Sequence, residues 1–438
     1  MLPISYIEDN RIFDTSGRAY AVFKIASQPY AFQPKHMRLQ VIDRVTRAMS
    51  GLAGEFWIYL LTQQWSIDQV LRSMRGLSQH SLWKEHQDEV RDVLGHRLPF
   101  HRVNLIVIPL GRKRVTVELT TDNWREWLRQ ATAGVTDVKN RLVMGQEVIS
   151  EEKLEAARQE SDEWFIKLQP IGKVERVRLR DVEWFLKRSY FRGLPEPKMV
   201  LPDPLPVQVI TRGRQGWVRP HRAMFLALSD VLCHEKPNHM IIEYPDGPKS
   251  HQTFFTTVGV PNPIDDRDPT GFEWMYGVLE QLPYPVDAAL HVRVEDPHEA
   301  LAHLQKKKKT AESQYREWAD NNEDIPLELE EDMATVDVLE KKLRSRQPLV
   351  HTQVVFGVGA KDGEELRHRV ENFKRHAGRY HIIVRAPGDM KRMFQAFTHS
   401  VTISQRRGRR LWIQVCWGHL FRLGRSHSEI QVAFSLAG

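Results

Sequence analysis

The clearest alternation of apolar and polar positions runs from Tyr284 to Val294, Tyr-Pro-Val-Asp-Ala-Ala-Leu-His-Val-Arg-Val, at the period of two that a strand imposes. Two long polar stretches of helical period follow, 297–320 and 327–346, separated by the breaker Asn321-Asn-Glu-Asp-Ile-Pro326. A second strand-like run spans 350–358, a helix 363–378, and a last strand 380–385. This order predicts a small strand/helix domain with a charged helical hairpin, 297–346, inserted between two of its strands. Upstream, 207–210, 240–244 and 252–260 read as short strands and 272–281 as a helix.

The first part of the chain repeats the mixture. Positions 4–7, 11–14 and 20–26 are strand-like, with Asp9-Asn10 and Thr15-Ser-Gly17 as turns. Met37, Val41, Val45, Ala48, Met49 and Leu52 form one helical stripe over 34–52. Stretches 56–63 and 102–109 read as strands, and 67–71, 82–94, 122–166 and 178–188 as helical. Five prolines within 194–206 exclude helix and central strand, which makes that stretch an extended linker. The expectation is an α+β chain of two mixed strand/helix domains, 1–120 and 207–400. A helical segment (121–193) and the linker (194–206) lie between them, and a basic tail (401–438) follows, expected to be disordered.

The chain has 438 residues, 41% of them hydrophobic and 27% charged, which suits globular domains with cores of their own. Its apolar runs, such as 105–110, fall far short of the roughly 18 residues a membrane span needs. The first residues lack the basic and apolar regions of an export signal, and Cys233 and Cys416 are far apart without metal or redox spacing. A reducing cytoplasm is expected. The net charge of +7 is concentrated at the end: residues 401–438 hold six arginines and one acid, +5, which leaves +2 for the first 400.

Gly172-Lys173 lacks both the preceding glycine and the following Ser/Thr of a phosphate-binding loop. Gly357-Val-Gly359-Ala-Lys-Asp-Gly363 follows a strand and precedes a helix, but Asp362 stands where a dinucleotide fingerprint needs its third glycine. An acid there repels a pyrophosphate, so the stretch reads as a turn with Asp362 near the helix start as cap or dipole partner. The pairs His96/His101 and Cys233-His234/His239 lack further donors. Lys306, Lys307, Lys308 and Lys309 point around a whole helix, and Glu328, Glu330, Glu331, Asp332, Asp337 and Glu340 on the return helix are placed to neutralise them. Arg406, Arg407, Arg409 and Arg410, beside Trp412 and Trp417, are a second candidate for phosphate or anionic-surface contacts. The narrow stripe Leu329, Met333, Val336, Leu339 and Leu343 suits a projecting arm or a partner surface.

Several stretches together resemble the N-terminal, non-motor half of the large ATPase of conjugative type IV secretion systems, the VirB/TraC/TrbE/CagE group. They are the opening strands up to Phe32, Trp184-Phe-Leu-Lys-Arg-Ser-Tyr-Phe-Arg-Gly-Leu-Pro-Glu-Pro197, Phe272-Glu-Trp-Met275, Leu282-Pro-Tyr-Pro-Val286, the hairpin, and Met393-Phe-Gln-Ala-Phe397 with Ser400. The resemblance implies a docking and assembly role at the cytoplasmic face of a secretion channel, with other channel or conjugation proteins as partners. In that family a RecA-like motor with Walker motifs follows. Here the chain departs from that pattern after Ser400, and no ATP-binding residue carries over. The expectation is a non-catalytic component without cofactor or metal. Its contact surfaces would be the hairpin with Leu329, Met333 and Val336, and the 189–206 segment with Tyr190, Phe191 and Arg192. The alternative is a nucleic-acid-binding accessory protein that uses the lysine and arginine clusters, and oligomeric state is open.

Overall fold

Nearly every strand carries apolar residues on both faces, and the computed structural model shows why: helices and extended chain cover the main sheet on both sides. The structure describes residues 4–14, 17–26, 34–52, 54–64, 71–72, 74, 80, 82–96, 100–111, 148–212, 215–220, 231–244, 247–259, 275, 278–279, 281–320, 336, 340, 343–344, 349–397 and 413–416. In chain order the elements are β1 (Ile4–Glu8), β2 (Arg11–Asp14), β3 (Ala19–Ile25), α1 (Lys35–Ser50), β4 (Gly54–Gln64), α2 (Leu82–His96), β5 (Phe100–Leu110), β6 (Ile149–Ser150), α3 (Glu151–Leu168), β7 (Val174–Arg176) and α4 (Leu179–Arg188). They continue with β8 (Val207–Arg212), β9 (Gln215–Pro220), β10 (Leu232–Lys236), β11 (His239–Glu243), β12 (Lys249–Gly259), β13 (Val286–Glu295), α5 (Pro297–Asp320), β14 (Leu349–Ala360), α6 (Gly363–Arg379), β15 (Ile383–Arg385), α7 (Met390–Gln395) and β16 (Ile413–Cys416). The class is α+β.

The main sheet has the order β1-β2-β3-β5-β4-β13-β14-β12-β11-β10, with β7 beside β3, β15 beside β12 and β16 beside β14. Read from its two ends, this order is one arrangement used twice. β1-β2-β3-β5-β4 matches β10-β11-β12-β14-β13, each a hairpin followed by a split β-α-β unit. The later elements match as well. β7 fills the edge of β3 beyond β2, and β15 fills the edge of β12 beyond β11. α3, β7 and α4 in the first unit correspond to α6, β15 and α7 in the second. The units meet where β4 pairs antiparallel with β13, Leu60 opposite Ala288 through Gly54 opposite Val294.

This junction differs from the expected pair of separately cored domains. One hydrophobic cluster lies on the first face, where Val45 and Met49 of α1, Leu154 of α3 and Phe373 of α6 pack on Phe23, Ile58, Leu290 and Phe356. A second lies on the opposite face, where Val182 and Phe185 of α4 and Met390 and Phe394 of α7 pack on Val22, Tyr59, Val107 and Phe254. Both clusters draw from both units. Stretch 194–206 is extended, but it is held on the body. Glu196 accepts from Trp184 Nε1 at 2.5 Å and from the Gln64 N–H at 2.7 Å. Buried Glu183 accepts from the Val200 and Leu201 N–H groups at 2.7 and 3.1 Å and from Lys187 at 2.6 Å. The prolines remove backbone donors, Glu183 of α4 accepts from two of the donors that remain, and Glu196 of the stretch itself accepts from α4 and β4.

Smaller differences have local causes. The strand expected over 380–385 shortens to β15 because α6 continues to Arg379 and closes with Ile382 N–H on Ala377 O, with His381 at φ 55°. Asp362 is the N-cap of α6, accepting from Glu365 N–H at 2.8 Å. β10 carries no alternation to betray it; its residues are exposed and only the register with β11 defines it. Four residues of the 401–438 tail, β16, pair as a strand along Leu349–Thr352, and the rest of the tail lies outside the described residues. β12 covers β14 only over Val355–Ala360, so the first part of that edge was open to them.

Candidate functional site

β13 organises the site. Its odd positions, Asp287, Ala289, His291, Arg293 and Glu295, share one face because strand side chains alternate. The sequence pattern reads that face as solvent-facing, yet Asp287, Ala289 and His291 are buried.

At the start of β13, Asp287 accepts from the Thr62 N–H at 2.8 Å and the Thr62 hydroxyl at 2.5 Å, and pairs with Arg192 Nε at 2.9 Å and Arg188 at 3.4 Å. Arg188 also donates to Thr62 O at 2.6 Å, and Arg192 to Gln252 Oε1 at 2.6 Å. The Gln252 amide in turn donates to Ser189 O, and Ser250 Oγ to Arg192 O. The Arg192 guanidinium lies over the rings of Phe397, at 4.2 Å, and Phe254, at 5.4 Å. Burial lowers the Arg192 pKa to about 10, with Asp287 pulling the other way. Burial also pushes the Asp287 carboxyl up, but Arg188, Arg192 and Thr62 outweigh it and hold the carboxyl below its ordinary value. Both groups are therefore charged at neutral pH.

This lock corrects one expectation. Tyr190 and Arg192, read as partner-docking residues, are 5% and 0% exposed, and half-buried Phe191 packs on Tyr244 at 4.5 Å. The segment turns inward because its charge finds Asp287 there. The same lock explains the glycines that resembled a nucleotide loop. A Cβ on Gly357 would lie 2.8 Å from Arg192 Cζ, and one on Gly359 would lie 2.5 Å from Arg192 O. These positions leave room for a crossing arginine, and that arginine occupies the space.

At the other end of β13, α5 departs. Ala300 and Leu304 are buried against Leu343 and Leu349, with Val336 packed alongside. Lys308 pairs with Glu340 at 3.0 Å, an acid it shares with Arg344 at 2.6 Å, while Glu328, Glu330, Glu331, Asp332 and Asp337 lie outside the described residues. Lys306 and Lys309 are exposed, and the side chain of Lys307 is outside the described residues. The stripe continues through Ala311 to Tyr315 and Trp318, which are 38% and 37% exposed where Leu304 is 4%. Leu329, Met333 and Arg406, Arg407, Arg409 and Arg410 lie outside the described residues.

Glu295 ties the root of α5 to the sheet, bonded to His303 and to His351 at 2.7 Å each. Burial alone would raise its pKa, but the two histidines and Arg293 hold it below the usual value near 4.5. A depressed folded-state value means stabilisation that is complete above pH 4.5 and lost as pH falls through the folded value. Glu295→Gln is expected to flatten the acid limb of a plot of urea midpoint against pH, while the wild-type chain weakens as pH drops below 4.5. An unchanged limb would show that the carboxylate contributes nothing.

Cys233 and His234 are adjacent in β10 and therefore project to opposite faces, so they do not form a ligand pair. His239 stacks near His251 at 6.0 Å, and burial first of all lowers the pKa of both. Burial also lowers that of His101, with Lys24 adding to it; the His96 side chain is outside the described residues. Among the described residues no three His, Cys, Asp or Glu are placed to hold a metal ion, and no helix is long and apolar enough to cross a membrane. No protein-family model matches the chain, and no curated protein matches it.

Proposed function

We propose that this chain is a structural docking component of a conjugative DNA-transfer, type IV secretion machine. It would be built like the non-motor half of the large ATPase, would work at the cytoplasmic face of the membrane complex, and would have no motor activity of its own. The observation that supports this most is α5. Its 24 residues start from a buried base on the doubled sheet and end in exposed Tyr315 and Trp318. A rigid body carrying an aromatic-tipped helix suits holding a partner better than turning over a substrate.

Lys308 touches Glu340 and Val336 packs on the base of the arm, so a short Gly-Ser turn that replaces 313–335 removes the exposed Tyr315 and Trp318 and keeps every residue named at the base. The arm-less chain is expected to keep its thermal transition and to lose co-purification with secretion-channel proteins. The intact chain is expected to show no ATP hydrolysis. Undiminished capture by the arm-less chain, or steady ATP turnover, would refute the reading. DNA retention that weakens steeply with salt and is lost when Lys306 and Lys309 become glutamine would favour the nucleic-acid alternative.

A further inference from the structure

Between the Arg192 lock and the root of α5, the odd face of β13 carries a shallow recess lined by Trp57, Ala289, His291, Gln353, Val355, Arg392, Met393 and Ala396. Its origin lies in the doubled fold. Trp57, His291 and Gln353 are direct cross-strand neighbours on β4, β13 and β14, as are Tyr59, Ala289 and Val355 in the next row. Ala289 is the small residue of its row and leaves a gap between larger neighbours. In the first unit α4 has 10 residues, whereas its counterpart α7 has 6, so among the described residues this part of the face has a shorter helical cover.

The chemistry of the lining is specific. The floor and walls are apolar: Ala289, Val355, Met393 and Ala396. His291 lies flat on Trp57, with ring centroids 5.0 Å apart and planes 5° from parallel. Among the described residues, no hydrogen bond or ion pair engages the Arg392 guanidinium or the Gln353 amide. The neighbouring acids are already engaged: Glu55 with His291 Nε2 at 2.5 Å, and Asp389 with the Arg392 backbone N–H at 2.8 Å as the cap of α7. A forked cation and an amide at the rim of a small apolar hollow suit a planar carboxylate attached directly to a short apolar group. In a polypeptide, Asp and Glu offer a carboxylate on only one or two methylenes, whereas a C-terminal apolar residue carries the carboxylate and a branched apolar side chain on one Cα, which fills an apolar hollow better.

We propose that this recess binds the C-terminal apolar residue of a partner polypeptide, with Arg392 and Gln353 on its carboxylate and Ala289, Val355 and Met393 around its side chain. The proposal builds on the docking reading and adds the chemistry of the partner. Arg392 supplies the charge, and the Ala289 gap supplies the space.

Met393 provides the probe. The intact chain, labelled with 13C at its methionine methyls and with Met393 assigned through Met393→Leu, is titrated with N-acetyl-valine, N-acetyl-valinamide and isovalerate. N-acetyl-valine is expected to shift the Met393 methyl saturably, with a Kd on the order of millimolar for so small a ligand. The valinamide, which lacks the carboxylate, is expected to bind at least about tenfold more weakly. Isovalerate, which lacks the peptide group, should also bind more weakly than N-acetyl-valine. Arg392→Gln should weaken binding by about tenfold or more, and Ala289→Leu, which fills the gap, should abolish it with Arg392 intact. No saturable shift, equal binding of acid and amide, or unchanged binding in both variants would overturn the proposal, and equal binding of isovalerate would overturn a polypeptide as its source. The arm-less chain keeps the recess. No carboxylate binding, with capture that is lost on removing the arm, therefore counts against the recess alone; carboxylate binding, with capture undiminished in the arm-less chain, counts against the arm alone.

Discussion

Replacing Asp287 by alanine is expected to cost about 3–5 kcal/mol, the usual penalty for removing one partner of a buried ion pair. The side chain is fully buried and faces two guanidiniums, those of Arg188 and Arg192. Alanine would leave two positive charges in the core with only the rings of Phe397 and Phe254 and neutral acceptors to hold them. It would also strip the Thr62 N–H and hydroxyl of their acceptor. Against a typical total of about 5–15 kcal/mol, that loss leaves little margin. Asp287→Asn, which keeps the shape and an acceptor toward Thr62, should lose less than alanine does. Because the folded Asp287 pKa is depressed, its stabilisation is present above its ordinary value near 3.8 and lost as pH falls through the folded value. Urea titrations of the three proteins test this at neutral pH, and the acid limb of the wild-type chain tests it again. A loss below about 1 kcal/mol for Asp287→Ala, the scale of an exposed pair, would remove the lock from any central role.

Gly193→Ala is the second large effect, expected at about 3 kcal/mol or more. Gly193 sits at φ +81°, where an alanine is strained by about 1–2 kcal/mol. Its added Cβ would also stand 2.2 Å from Ala360 N and 2.3 Å from Gly359 C, so the clash is with backbone that no rotamer change relieves. Overpacking of that kind costs about 1–3 kcal/mol more. The substitution should lift the chain after Arg192 off β14 and weaken the Asp287 contacts with it. Gly378→Ala is the contrasting control. Gly378 lies in α6 with nothing within 4 Å of the built Cβ, so alanine there should be neutral or stabilising by up to about 1 kcal/mol. Thermal melts of both variants decide the matter: equal shifts would mean that the crossing at Gly193 is not tight.

Local periodicity settles much about this molecule. The alternation of 284–294, the stripe of 34–52 and the capped start at Asp362 each place an element to within a few residues. The chemistry there is carried by neighbours in sequence, and backbone period alone decides which residues share a face. The mixed α+β class, the charged helix from 297 and the extended, proline-stiffened 194–206 stretch were legible for the same reason. What neighbours in sequence cannot carry is contact between residues far apart. Asp287 and His291 read as the wet side of a strand, and only the return of Arg188 and Arg192 from 95 and more positions earlier makes the first a buried anion. Gly357 and Gly359 read as a turn beside a helix, and only the crossing arginine gives them their purpose. The doubling of the sheet, the seam at β4 and β13, and the recess beneath short α7 have no local signal. Their pairing is fixed by burying both faces of one sheet at once, a condition satisfied by the whole chain and by no single stretch of it.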